Sequence, residues 1–507
     1  MTKPFRVVLI SPYSHISAIG LRPISACLKQ AGFESRIIFL PDIDEWLSAP
    51  HSHRQEYPPE TLDQVCELCA DADLIGIGVM SNFVGRARSL TEVIHTRLGL
   101  PVIWGGVHPT ARPGECLQWA DFVCVGEGEE SVTELVGRMA AGQGVANIAN
   151  IWLKSPGGQI VPNSVRPLNR SLASLPLPDY ELSTQYILHE GHLQPLTPQL
   201  LAYYLLNFFA GGPKVAYMTC LTRGCPYKCT YCCENAMSQL YPNWRHLRRR
   251  SPEHLIAEIN QARQVIPGLQ VIMFLDSTFL AVSAAEIRRF SELYRAQVGL
   301  PFFMMATPNA VTQEKLTYLV DAGLQDVEMG IQTGSERIRR IFRRPEDNKQ
   351  VLAAAQRLHS FRAQIPHPRY DLITDNPYET RNDQMETLQL LYKLPRPSHF
   401  YVFSLTFYPG TELYNQARTD GLIQDDELDV YPKNFGQLKP TYYNFVLWCI
   451  HRNLPRSLLW LLIQPLAFRL FDSRWMRSPL RLLWRWINDW RTQDTHRQYL
   501  RLLARLK

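Results

Sequence analysis

The chain has 507 residues, 46% of them hydrophobic and 20% charged, with a formal net charge of +6. That length exceeds one ordinary core, so two or three domains are expected, and the composition excludes a disordered, repetitive or low-complexity protein. Eleven cysteines follow an opening, MTKPFRVVLISPYS, whose apolar run is too short for a secretory signal. Clustered thiols that bind metal in a reducing, cytoplasmic compartment are therefore expected over a disulfide scaffold.

In chain order, FRVVLI predicts a buried strand, ISAIGLRPISACLKQAG a helix and ESRIIFL a second strand. ADLIGIGVM, LPVIWGGV and DFVCVGEG add three buried runs, with helical stretches such as SLTEVIHTRLG between them. Strands alternating with helices imply right-handed crossovers and a parallel, doubly wound sheet over residues 1–145. Ligands of such sheets sit at the C-terminal strand ends. There the sequence places SPYSH, Ser81 and Asn82, Gly105 and Gly106, and Gly126 with Glu127. Glycine lets a ligand approach the backbone, and the same residues also suit ordinary strand-to-helix turns.

Residues 146–214 carry turn signals (SPGG, LPLPDY, LTP) and are expected to connect two domains. Their apolar run LLAYYLLNFFAGG is too short to span a bilayer and suits a packed helix or a membrane-facing surface. From 215 to 420 the rhythm returns, with strands in VAYMTC, VIMFLD, FFMMAT, DVEMGIQT, RYDLIT and FYVFSLTF separated by helical stretches. Six such strands predict a partial (β/α) barrel with its chemistry at the strand C-termini.

Residues 421–507 are expected to form a helical, basic and aromatic C-terminal extension. TYYNFVLWCIHRNLPRSLLWLLIQPLAFRLF is broken by Pro455 and Pro465, and RSPLRLLWRWINDWRTQ alternates Arg with Leu and Trp. From His451 to Lys507 eleven Arg and one Lys stand against three Asp, so the rest of the chain is slightly acidic. The pattern suits a helical cap on the barrel or peripheral contact with an anionic membrane face. Nucleic acid is disfavoured as a partner.

Between Arg223 and Glu234 the chain reads RGCPYKCTYCCE, with Cys225, Cys229 and Cys232 spaced C-x3-C-x2-C. A zinc site wants four ligands in a closed tetrahedron. Cys233 abuts Cys232, so its side chain is expected to point elsewhere, and Cys220 belongs to the preceding strand. Three thiolates on a [4Fe–4S] cluster instead leave one iron open to an outside ligand.

C-x3-C-x2-C after the first strand of a partial barrel resembles the radical S-adenosylmethionine (SAM) superfamily. FLDSTF (274–279), ATPNAVT (306–312), EMGIQTGSERIRRIFRR (328–344), YDLITDNPYET (370–380) and YPGTELYNQA (408–417) resemble that family's later motifs, in order. The likeness implies that the open iron chelates SAM, whose reductive cleavage yields a 5′-deoxyadenosyl radical. It also implies SAM contacts near Tyr231, Gln332 and Ser335, and an electron donor such as flavodoxin or ferredoxin. Ser277, Pro308 and Asp375 depart from the family pattern.

The upstream domain, above all WGGVHPTARPGECLQWADFVCVGEGEES (104–131), resembles the Rossmann-like cobalamin-binding domain of B12-dependent radical SAM proteins. Ser81, Asn82, Gly105, Gly106, Gly126 and Glu127 are the implied cobalamin contacts. His15 in YSHISAIG lacks the spacing D-x-H-x-x-G of histidine-ligated cobalamin, which implies base-off cobalamin without a histidine lower ligand. The expected activity is C-methylation of an unactivated carbon in a small or lipid-like substrate. Cyclisation or rearrangement without methyl transfer, and a non-catalytic carrier at a membrane, are the alternatives. Methylthio transfer to RNA is disfavoured because the first domain has only a C-x2-C pair, Cys66 and Cys69, in a helical stretch.

Overall fold

The computed structural model describes residues 4–41, 56–209, 212–243, 245–433, 435–471 and, beyond these, 479, 482 and 483. In the first domain β1 (Arg6–Ser11), β2 (Glu34–Phe39), β3 (Leu74–Gly78), β4 (Val102–Gly105) and β5 (Phe122–Cys124) pair in parallel. Val7 and Leu9 of β1 pack into one apolar cluster, and Val8 and Ile10 into another. Both faces of the sheet are therefore covered, as uninterrupted Val/Ile/Leu runs require. Of the predicted first helix only Leu21–Gln30 is helical, because Ile16–Gly20 turns before entering it. Cys66 and Cys69 are buried in helix Pro59–Cys69.

Residues 146–214 are more than a connector. β6 (Ile151–Lys154) and β7 (Ile160–Val161) extend one edge of the first sheet, and β8 (Gln185–His189) and β9 (His192–Pro195) extend the other. The sheet thus has nine strands among the described residues, with β1 near its middle. The additions are short strands of mixed polarity, whose pairing is set by distant neighbours and not by a local apolar run. The stretch 200–212 divides: helix Pro198–Tyr204, capped by the Thr197 side chain, gives way to β10 (Leu206–Phe209).

β10 lies antiparallel to β11 (Gly212–Thr219), the first strand of the second sheet. A short ribbon, β12 (Thr222–Arg223) with β13 (Arg248–Arg249), brackets the cysteine loop. β14 (Val271–Phe274), β15 (Phe302–Ala306), β16 (Leu324–Gln332), β17 (Arg369–Thr374) and β18 (His399–Ser404) then follow β11 in parallel order. Alternation sends Phe302 and Met304 outward under the helices and Phe303 inward beside Ala216 and Met273. The sheet is the expected half-barrel, and capping boxes at Ser283, Asp347 and Thr380 start three of its helices.

The extension begins as a cap. Helix Tyr442–His451 is buried along most of one side, and Asn444 is wholly buried. Asn444 Oδ1 accepts from Thr374 Oγ1 at 2.7 Å, and its Nδ2 donates to Asp375 Oδ1 at 2.8 Å and to the Lys439 carbonyl at 2.9 Å. Helices Arg456–Leu462 and Pro465–Phe471 bury Leu459 and Phe468 but leave Trp460, Leu461, Leu466 and Leu470 more than half exposed. No helix of the described residues is long and apolar enough to cross a membrane. The Arg- and Trp-rich run 477–493 lies outside the described residues apart from 479, 482 and 483.

Asn444→Ala would take the Asn444 partner from Thr374 Oγ1 and Asp375 Oδ1, leaving Asp375 only its bond from Lys439 N, and is expected to cost about 2–3 kcal/mol. The urea midpoint should fall and proteases should release the extension sooner; an unchanged midpoint would show that Asn444 does not lock it.

Candidate active site

The cysteine loop is gripped from several strand ends. Asp276, just beyond β14 and buried, accepts from Leu221 N at 3.0 Å, Thr222 N at 2.5 Å and Thr222 Oγ1 at 2.6 Å. Burial pushes its carboxyl up to about 6, against the pull of those donors. Tyr227 donates to Asn309 Oδ1 at 2.9 Å, beyond β15. Thr230 donates through N to the Phe342 carbonyl and through Oγ1 to the Ile341 carbonyl, and accepts from Leu413 N. Ser277, where the family pattern has Asp, donates to Glu234 Oε1 at 2.9 Å.

On this frame Cys225 and Cys229 are buried and Cys232 is half-buried. Burial, with negative charge on Glu234, Cys232 and Cys229 adding to it, pushes the Cys225 thiol up to about 12. The three sulfurs are thus close enough to oppose one another's ionisation, which a bound cationic cluster relieves. No group of three or more His, Cys, Asp or Glu among the described residues could hold a single metal ion. A zinc site closes with four ligands, whereas three thiolates on one loop fit an iron–sulfur cluster with one iron left open. Cys233 does not turn away as expected: starting helix Cys233–Leu240, it hydrogen-bonds Cys232. Cys220 instead lines an adjoining cleft.

Arg344 is a site residue that the sequence motifs do not single out. It is buried, its Nη1 lies 4.0 Å from Cys229 Sγ, and its Nη2 donates to the Gly330 carbonyl at 2.6 Å. Its signal lies in RRIFRR, where four arginines of one sign give no local means of telling which one turns inward. The Tyr231 ring meets Phe342 edge-on at 4.8 Å. Gln332 ends β16 with φ +67°, and a Cβ on Gly330 would lie 2.7 Å from its amide nitrogen. Ser335 caps helix Glu336–Phe342 and donates to Asp383 at 2.5 Å, so its hydroxyl is committed to the scaffold.

At the C-terminal edge of the first sheet, Ser81 Oγ lies 3.2 Å from His108 Nδ1, and Asn82 and Gly105 are half-buried nearby. Gly106 is exposed with φ +110°, and a Cβ there would press on the Val79 carbonyl at 2.9 Å. Ile19 and Met80 on loops and Val107 at the start of helix Val107–Ala111 stand about 40% exposed, an apolar rim beside the glycine backbone. A flat macrocycle with an apolar face fits that surface. Gly126 and Glu127 face the second domain. A Cβ on Gly126 would lie 1.9 Å from Tyr241 Oη, whose oxygen accepts from Glu127 N at 3.2 Å. Glu127 takes Arg248 at 2.8 and 2.7 Å; burial opposes its ionisation, but Arg248 and Arg223 outweigh burial and hold its carboxyl low. His15 accepts from Ser17 N at Nδ1, has the Asn207 amide 3.1 Å from Nε2, and is pushed down to about 4 by burial.

The two sheets meet in a cleft lined by Ser17, Ile19 and Arg22 on one side and Met218, Cys220 and Arg223 on the other. The Radical SAM superfamily description matches residues 219–391, and the B12 binding domain description matches residues 5–136. Bacteriochlorophyllide d C-8(2)-methyltransferase of Chlorobaculum tepidum is 21% identical over 75% of this chain and 76% of its own length. The radical SAM methyltransferase TsrM of Kitasatospora setae superposes with TM-score 0.62 at 15% identity, covering 82% of this chain and 76% of that one. The cobalamin-dependent SAM radical enzyme OxsB superposes with TM-score 0.64 at 15% identity, covering 97% and 72%. With the cysteine loop in the region matched by one family and the rimmed sheet edge in that matched by the other, the chain is a cobalamin-binding radical SAM enzyme.

Proposed function

We propose that this enzyme C-methylates an unactivated carbon of a small or lipid-like substrate, using a [4Fe–4S] cluster, SAM and cobalamin. The observation that supports the reading is a cleft lined by Ser17, Ile19 and Arg22 of the first domain and by Met218 and Thr219 of the strand leading to the cysteine loop, with Ile19 the one rim residue of the three that reaches it. Two chemistries act on one carbon only if both cofactors face it across a water-poor space. The likeness to methyltransferases supports transfer over rearrangement.

Cys225, Cys229 and Cys232 would hold the cluster, with Tyr231 and Gln332 beside the SAM position. Ser335 would contribute through its placing of the backbone, since its hydroxyl is already bonded. When bound, these groups supply the one-electron chemistry that opens a C–H bond and the methyl carrier that fills it. The chain's own residues position and insulate. Asp276 orients the loop entry, Arg344 sets a fixed positive charge beside Cys229, and Ile19, Met80 and Val107 keep water from the facing edge. His15, with contacts at both ring nitrogens and a strong bias to the neutral form, is a scaffold residue, which supports base-off cobalamin without a histidine ligand. A small electron-transfer protein such as flavodoxin or ferredoxin would reduce the centre.

We also propose peripheral contact with the inner membrane face through the extension, consistent with a hydrophobic substrate. Trp460, Leu461, Leu466 and Leu470 are exposed on its helices, and the sequence that follows is rich in Arg, a pairing that suits anionic lipid.

Anaerobic reconstitution with iron, sulfide, cobalamin, SAM and reductant should give both 5′-deoxyadenosine and S-adenosylhomocysteine, with the substrate heavier by CH2. Cleavage of SAM without the second product would favour rearrangement, and no cleavage a carrier. Cys229→Ala should abolish the cluster absorbance and every SAM product, whereas His15→Ala should leave the cobalamin spectrum and affinity unchanged. In sedimentation with phosphatidylglycerol vesicles the full chain should pellet, and Trp460→Ser/Leu461→Ser should reduce the bound fraction severalfold. Equal binding by both chains would remove the membrane contact from the reading.

A further inference from the structure

The turn that ends helix Glu336–Phe342 is tied to the cysteine loop next to Cys229. Thr230 donates there to the Ile341 and Phe342 carbonyls, which fixes the helix end against the loop. Arg343 then takes φ +50° and turns the chain, and Arg344 N donates back to the Arg339 carbonyl at 3.1 Å. The arginines of this stretch divide by exposure. Arg340 and Arg343 have side chains 75% and 52% exposed and pair with Glu336 and Glu412. The Arg344 side chain is only 6% exposed.

The partners of the buried guanidinium are distributed around its edges. Nε and Nη2 take Glu346 Oε1 at 2.5 Å, and Nη2 also donates to the Gly330 carbonyl at 2.6 Å. Nη1, which takes no part in the Glu346 pairing, has Cys229 Sγ 4.0 Å away. That is the outer limit of a hydrogen bond to sulfur, so what reaches Cys229 is chiefly charge. Arginine keeps its proton in any such site, and burial withholds the water that would screen it. Glu346 is 1% exposed and its Oε2 has no hydrogen-bond partner. A buried ion pair of this kind adds little stability over an apolar pair, so stability alone does not account for it.

A cluster held by Cys225, Cys229 and Cys232 brings three thiolate charges into this pocket, and reduction adds another electron. A fixed cation beside one thiolate stabilises the reduced form more than the oxidised one, since charge and hydrogen bonds at the sulfurs set such potentials. Glu346 acts in the opposite sense, from the edge of the guanidinium that Nη1 does not share.

We propose that Arg344 is a positioning residue for reduction: acting through Cys229, its buried charge raises the potential of the cluster toward that of a protein electron donor, and Glu346 holds it there and limits the effect. This rests on the three cysteines holding the cluster and adds the residue pair that sets how readily the centre accepts an electron.

The test is an anaerobic redox titration of the reconstituted full chain without SAM, read from the electron paramagnetic resonance signal of the reduced cluster. Arg344→Gln should make the cluster at least about tenfold harder to reduce, a midpoint about 59 mV lower for a one-electron couple. Glu346→Gln, which keeps the cation, should move the midpoint upward. Arg344→Gln/Glu346→Gln, which removes both buried charges together, should lower it by less than Arg344→Gln alone. Should Arg344→Gln fail to hold a cluster, the other two variants decide between the same outcomes. A residue that only packs the loop would not shift the midpoint in opposite senses with opposite charges. Midpoints equal to the parent's, or shifts of one sign when either charge is removed, would overturn the proposal. A parent chain that assembles no cluster would overturn the assignment of the cysteines as well, whereas a parent with a normal cluster and unmoved variants loses only the role of Arg344.

Discussion

Everything at the active centre depends on how Asp276 holds the entry to the cysteine loop. Its two oxygens take three donors from Leu221 and Thr222, two of them backbone amides, so the path into Cys225 is set by a buried side chain on a different strand. The far side of the loop is tied by Thr230 to the end of helix Glu336–Phe342 and to Leu413. Thiols that oppose one another's ionisation would separate in a free loop. Here backbone anchors from both sides keep them together before any metal arrives, which lowers the ordering cost that metal binding must otherwise overcome.

A second constraint fixes the two domains to each other. Arg223 and Arg248, on the ribbon that brackets the cysteine loop, pair with Glu127 and Glu129 at the end of β5 and the start of the next helix. Arg248 is nearly buried, so losing either partner leaves an uncompensated charge, which is a stronger restraint than a surface ion pair. Tyr241 fills the space over Gly126, where φ +87° and the missing Cβ are both required. The same short ribbon therefore positions the iron-binding loop and the cobalamin-binding domain, and the cleft between them inherits its width from these contacts.

Much of this was legible in the chain. Parallel strands announce themselves as continuous Val/Ile/Leu runs because both faces are buried, and the C-x3-C-x2-C spacing carries its chemistry in three residues. What escaped depends on partners far away in sequence. β6 to β9 are strands only because β5 and β2 offer free edges. Glu127 sits in a ligand-type loop but meets Arg248, more than a hundred residues on, and no local pattern distinguishes those two fates. Arg344 reads as one of several arginines on a helix until the fold carries it to Cys229. The sharing of a hydrogen bond between Cys232 and Cys233 likewise needs the helix start that turns the second thiol back.

Asp375 shows how a departure from a family pattern can report a new contact. The position has φ +56°, a conformation that costs a non-glycine residue about 1–2 kcal/mol. The Asp side chain offsets this by accepting from Asn444 Nδ2 and from Lys439 N, contacts that Gly could not make. The strain at this site is thus the means by which the extension is fastened to the end of β17. That strand also carries Asp371, four residues earlier and on the lumen side. The exposed helices that follow residue 455 therefore start from a cap tied directly to the barrel, and a surface engaged by Trp460 and Leu461 would be joined to the chamber through one strand and one buried asparagine.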